Sequence, residues 1–148
     1  MESGKEMKNQ RMLDELTELM RIDVSSGQET EIAECLVKKL KQMGFSITRD
    51  EAGDTFGGVC GNVLAVREGE RDGVVCFCSH MDRVPGGIGI KPVEEDGILR
   101  SSGDTILAAD DLSGVAAILE GVRQAIESGK ALPKLEILFT VGEEAGLY

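Results

Sequence analysis

Val74-Val75-Cys76-Phe77-Cys78-Ser79-His80-Met81-Asp82 is the stretch on which the fold turns. Its first five residues form an apolar run with Asp72-Gly73 before it and Pro85-Gly86-Gly87 after it. A short apolar run between turn signals predicts a buried strand. His80, the only histidine in the molecule, falls where that strand gives way to a loop. Strand-to-loop junctions of this kind are where α/β sheets carry their chemistry.

Working outward, apolar spacing predicts a helix over residues 9–22, with Met12, Leu13, Leu16, Leu19 and Met20 on one face. Ser25-Ser26-Gly27 breaks it and offers hydroxyl caps for a second helix, striped by Ile32, Leu36, Val37, Leu40 and Met43 and stopped at Gly44. Residues 45–48 and 62–66 read as strands, and the polar loop 50–58 between them has no legible role. Asp96-Gly97, flanked by 91–94 and 98–101, is a hairpin turn signal. A helix follows from about Leu112 to Ser128 with Asp111 placed as its N-cap. Leu135–Val141 reads as a last strand. Strands joined through a hairpin and a helix predict an α/β fold, three layers with a mixed, largely parallel central sheet. The chain stops seven residues after that strand, so the expectation is a sheet incomplete at its C-terminal end, with one face partly uncovered.

The chain has 148 residues, 41% of them apolar, which suits one globular domain with a sizeable core. Asp and Glu outnumber Lys and Arg by 27 to 16, for a net charge of −11. That argues against a nucleic-acid or anionic-membrane partner, since neutralising phosphates needs a basic surface. The sequence has no membrane-spanning apolar run, and Met1–Glu6 lacks the apolar core of a signal peptide, so the expected location is the cytoplasm. Cys35, Cys60, Cys76 and Cys78 have neither zinc-ribbon nor disulfide-framework spacing and read as free, buried thiols.

Three junctions carry groups able to bind a cation: His80 with Asp82, Asp110-Asp111, and Glu143-Glu144. A divalent metal wants imidazole nitrogen and carboxylate oxygen. Asp82, two residues on, can accept the second imidazole N–H and orient the ring. One carboxylate of Asp110-Asp111 can cap the helix while the other points outward. One of the two glutamates can bind metal while its neighbour acts as general base, worth roughly 10²–10⁴-fold in rate. Each pair alone also has a plain reading: a histidine at the core's rim, acids on a helix dipole, glutamates in a solvated loop.

Together, Ser-His-Met-Asp (79–82), Ala-Ala-Asp-Asp-Leu-Ser-Gly (108–114) and Thr-Val-Gly-Glu-Glu-Ala-Gly-Leu (140–147) resemble the dizinc exopeptidases of the peptidase T, carboxypeptidase G, aminoacylase and succinyl-diaminopimelate desuccinylase group. The peptidase T-like branch is the nearest in look. The resemblance implies two divalent metal ions, zinc foremost, with cobalt or manganese as alternatives. It implies His80 on the first metal with Asp82 orienting it, Asp110 bridging, Glu144 on the second metal and Glu143 as general base. The implied reaction is release of the N-terminal residue from a short peptide, and the implied state of a full-length relative is a homodimer.

Family members carry a further metal-binding acid, a second histidine and a lid domain downstream of the double glutamate. The expectation is therefore that residues 1–148 form the N-terminal portion of a metallopeptidase catalytic domain without its lid and dimerisation domain, weakly active or inactive alone. The readings set against it are a non-catalytic remnant or interaction module, a related metal aminopeptidase, and an acyl-amino-acid deacylase.

Overall fold

A computed structural model describes residues 2–146. Three helices, α1 (Glu2–Met20), α2 (Thr30–Gln42) and α3 (Ala109–Glu127), accompany six strands. These are β1 (Ser46–Arg49), β2 (Val63–Arg67), β3 (Val74–His80), β4 (Pro92–Glu95), β5 (Ile98–Ser101) and β6 (Lys134–Thr140). The main sheet has the order β1-β2-β6-β3, and β4-β5 is a separate hairpin. Asp96 and Gly97 both take positive φ, 53° and 74°, the pair of left-handed residues that closes a two-residue hairpin loop.

The fold is α/β with a mixed sheet, as expected, but the sheet is not largely parallel. β3 runs parallel to β6, while β6–β2 and β2–β1 are antiparallel. The physical cause is connectivity: only β3 and β6 are joined by a helical crossover, which parallel neighbours require.

Val63 and Ala65 of β2 and Leu135, Ile137 and Phe139 of β6 share one face and pack into a single core with Leu36, Leu40, Leu112, Val115 and Leu119 of the helices. Each of these side chains larger than alanine contributes about 1.5–3 kcal/mol on burial. The helices thus lie on one face, and two of the three expected layers are present among the described residues. The opposite face, with Leu64 at 37% exposure, is uncovered.

That arrangement corrects the reading of β3. It is the edge strand, and Val74 (59%), Val75 (40%) and Phe77 (37%) are exposed. Cys76 and Cys78 are exposed as well, though all four cysteines are free. An apolar run marks a strand able to be buried; its place at the edge denies it a cover.

Arg11 and Arg123 bind α1 to α3. Arg11 pairs with Glu120 at 2.7 Å, and Arg123 pairs with Glu15 at 2.8 Å and Glu120 at 3.0 Å. Glu15 and Glu120 are both buried, and each has its arginine partner, which is what makes their burial tolerable. Met12, assigned from spacing to the apolar face of α1, is 36% exposed.

Candidate metal centre

The site is built from the ends of β3 and β6 and the start of α3. β3 and β6 are adjacent and parallel, with His80 opposite Thr140, so their following loops emerge side by side. Ser79, buried at the end of β3, donates to Asp111 Oδ2 at 2.7 Å. Asp111 Oδ1 in turn accepts the N–H of Gly114 at 3.1 Å. Asp111 is therefore the N-cap expected of it, and regular helix begins after it, since Asp110 and Asp111 are themselves non-helical. With Asp111 turned inward to cap, Asp110 is free to point outward, its side chain 85% exposed.

His80 stands between two carboxylates. Nε2 is 3.0 Å from Asp110 Oδ1. Nδ1 is 3.2 Å from Asp82 Oδ1, an ion-pair distance whose alignment falls short of a hydrogen bond. Burial works against a charged ring, but the Asp110 hydrogen bond and the charges of Asp82, Glu143 and Asp110 outweigh it and raise the His80 pKa. One ligand atom each from His80, Asp110 and Glu144 lie within 4.8 Å of one another. Glu143, beside them, is exposed.

Asp82 is fully buried and organises this set. Oδ1 accepts the Glu143 N–H at 3.1 Å, while Oδ2 accepts the Glu144 N–H at 2.9 Å and the Ser26 hydroxyl at 2.5 Å. The preceding amides are held in the same manner, Val141 N–H by Asn62 Oδ1 at 3.0 Å and Gly142 N–H by Glu29 Oε1 at 3.2 Å. Four consecutive amides, 141 to 144, are thus each accepted by a side chain from another part of the chain. Such a loop has little freedom, and both glutamates leave it in set directions.

Several of these groups escaped sequence reasoning. Ser26 looked like a helix cap, yet it bonds Asp82, and α2 begins at Thr30 with no side-chain cap bond. Glu29 is fully buried, with Oε1 shared between the Gly27 and Gly142 amides and Oε2 unpaired among the described residues. Burial pushes its carboxyl pKa up. Asn62 and Glu29 carry no local signal for this role, because the amides they hold at Val141 and Gly142 are remote in sequence. The loop after His80 is anchored by Arg83, 1% exposed, which donates to the carbonyls of Gly87 at 3.1 Å and of Leu19 and Met20 at 3.4 Å. Gly87 has a specific reason to be glycine: a Cβ there would lie 2.3 Å from Arg83 Cδ.

An imidazole and clustered carboxylates at the parallel strand ends of an α/β sheet are a donor set that could hold a divalent metal. The chain belongs to peptidase family M28, whose model matches residues 62–148. The expected likeness to peptidase T-like enzymes is borne out by solved structures. Aminopeptidase PepT from Bacillus cereus is 37% identical with a TM-score of 0.89, over 93% of this chain and 37% of that one. A Staphylococcus aureus tripeptidase is 34% identical with a TM-score of 0.87 over the same shares. A Bacillus subtilis protein, YqjE, is 38% identical over 138 residues, 93% of this chain. The chain spans 37% of the length of each of these relatives. Its resemblance is to hydrolases. Among the described residues no helix is long and apolar enough to cross a membrane.

Proposed function

We propose that this chain carries most of the catalytic centre of a metal-dependent exopeptidase that releases the N-terminal residue of short peptides, as a tripeptide aminopeptidase does. The observation that carries the reading is the approach of His80, Asp110 and Glu144 to within 4.8 Å, with Glu143 next in chain to one of them. The donor chemistry fits. Two ligand atoms about 2.1 Å from one zinc at tetrahedral angles lie roughly 3.4 Å apart, near the 3.0 Å that separates His80 Nε2 from Asp110 Oδ1. A cation there would also relieve the mutual repulsion of three carboxylates, those of Asp110, Glu143 and Glu144.

In this reading His80 would hold the first of two zinc ions, Asp110 would be shared between them and Glu144 would hold the second, with cobalt or manganese as substitutes. Once bound, the ions supply Lewis acidity to the scissile carbonyl and make water a competent nucleophile near neutral pH. Glu143 takes the attacking water's proton and passes it to the leaving amine. Asp82 is a positioning residue: it steadies the imidazole and, through two main-chain amides, the directions of both glutamates. Residues 1–148 then form the N-terminal portion of the catalytic domain, working in the cytoplasm in a protein that dimerises through its lid domain.

Calorimetric titration with zinc tests the reading. The chain should bind zinc, and Glu144→Ala should weaken binding at least tenfold, since one of a few charged ligands is lost. Equal affinity for the two proteins would overturn the ligand assignment.

A further inference from the structure

Cys76 and Cys78 of β3 are free and exposed, and the proposed centre uses neither. They stand two residues apart in one strand, so both side chains leave it on the same face. The register fixes which face that is. Cys76 is opposite Glu136 and Cys78 opposite Leu138, and Leu138 is in turn opposite Leu64, on the uncovered side of the sheet. Because β3 is an edge strand, no further strand flanks the pair among the described residues. Glu136 is engaged by Lys134 at 2.8 Å. Among the described residues, the one hydrogen bond made by either thiol is a long one, from Cys76 Sγ to the Phe77 carbonyl at 3.8 Å.

Spacing decides what such a pair can do. Two rises along a strand set same-face neighbours about 6.6 Å apart. A disulfide needs its β-carbons about 3.5–4.5 Å apart, so the two cysteines do not close on each other while β3 stays extended. One atom bridging both sulfurs meets the interval better. Two bonds of about 2.3 Å to a tetrahedral centre, as zinc makes to thiolates, leave the sulfurs roughly 3.8 Å apart. Leaning both side chains toward each other reaches that separation.

The number of donors narrows the occupant. Zinc in a closed site takes four ligands. Among the described residues, the one group of three or more His, Cys, Asp or Glu donors converging within 4.8 Å is that of His80, Asp110 and Glu144. With no third donor converging on Cys76 and Cys78, the fitting acceptor is soft and has two open valences. We infer that Cys76 and Cys78 form a dithiol site for a trivalent arsenical, an arsenic atom with one organic substituent and two exchangeable bonds to oxygen. On binding, those two bonds are replaced by bonds to the two sulfurs. Both thiol protons leave with the oxygen as one water molecule, arsenic stays trivalent, and no oxidant or reductant is needed. Leu64 and Leu138, on the same face, suit an organic substituent. The site does not depend on the hydrolase reading, yet an arsenical bound there would engage the strand that ends in Ser79 and His80.

Phenylarsine oxide is the probe, added in equimolar amount to the reduced 148-residue chain in EDTA, with excess mercaptoethanol to strip arsenic from single cysteines. Mass spectrometry should show one phenylarsenic group per chain, released by dimercaptopropanol. Iodoacetamide, which labels Cys76 and Cys78 in the free chain, should spare both in the adduct. Cys76→Ser and Cys78→Ser should each weaken binding by on the order of 10²–10⁴-fold, the loss expected when a second, intramolecular attachment is removed. The double variant Cys35→Ser, Cys60→Ser should bind as the native chain does. Native-strength binding by either β3 variant would overturn the inference. So would alkylation of Cys76 and Cys78 in the adduct, or the lack of any adduct that survives mercaptoethanol. The alkylation pattern is read on the native chain, so the test stands even where a variant fails to fold.

Discussion

Replacing Asp82 by asparagine removes one charge and turns one of two acceptor oxygens into a donor. In the native chain Oδ1 accepts from Glu143 N–H, and Oδ2 from Glu144 N–H and the Ser26 hydroxyl, all where Asp82 is 0% exposed. Whichever way the amide turns, its NH₂ faces at least one main-chain N–H. A buried donor left without an acceptor costs about 1–3 kcal/mol, and the remaining bonds lose their charge assistance. Asp82→Asn should therefore destabilise the chain by about 2–4 kcal/mol, which lowers the melting temperature by roughly 5–15 °C for a domain of this size. Because both glutamates hang from those amides and His80 Nδ1 faces the same carboxylate, zinc affinity should also fall about 10–100-fold. Urea unfolding in EDTA measures the first effect and calorimetry with zinc the second. An Asp82→Asn protein that matches the native chain in both would refute the idea that this carboxylate organises the loop.

Gly142→Ala should destabilise by about 1–3 kcal/mol: its φ of +68° is left-handed and its new methyl would meet the Phe56 ring at 2.5 Å, so thermal melts should show the loss. Ser79→Ala removes the hydroxyl that holds the capping carboxylate of Asp111, and should cost about 1–2 kcal/mol in the same assay. At Glu120, burial alone would raise the carboxyl pKa, but hydrogen bonds from Arg11, Gln124 and Arg123 outweigh it and hold it below the ordinary value of about 4.5. A depressed carboxylate stabilises the fold fully above that value and loses its contribution as pH falls through the lower folded one. Stability measured by urea unfolding should therefore drop with acid below about pH 4.5, and Glu120→Gln should flatten that slope.

The fold was legible wherever a periodic pattern had a local cause. The stripe of Ile32, Leu36, Val37 and Leu40 marks α2, Asp96-Gly97 marks its hairpin, and the Leu135–Val141 run marks β6 within a residue of its bounds. Two features were not legible, for the same reason. Apolar character cannot say which strand ends up at an edge, so β3 read as buried; nor does it fix strand direction, so the sheet read as more parallel than it is. Both depend on which elements meet after folding.

The site divides along the same line. The groups of the proposed centre, His80, Asp110, Glu143 and Glu144, sit in short motifs, because chemistry asks for particular functional groups and is indifferent to much else. The groups that hold them are dispersed: Ser26, Glu29, Asn62 and Ser79 meet partners 32 to 113 residues away. Any one of them, seen in the sequence, satisfies a commoner local role such as a cap or a loop polar residue. Their shared feature appears only in three dimensions, where Asn62, Glu29 and Asp82 serve successive amides of one loop. That arrangement also explains why the loop after β6 can present two adjacent acids without collapsing onto a helix end or a lysine. Its amides 141 to 144 are taken by side-chain acceptors from elsewhere in the chain, which leaves the two glutamate side chains for the proposed cation. The order of the loop is thus set by Asn62, Glu29 and Asp82, none of them a proposed ligand, and variants there should weaken zinc binding in the calorimetric titration.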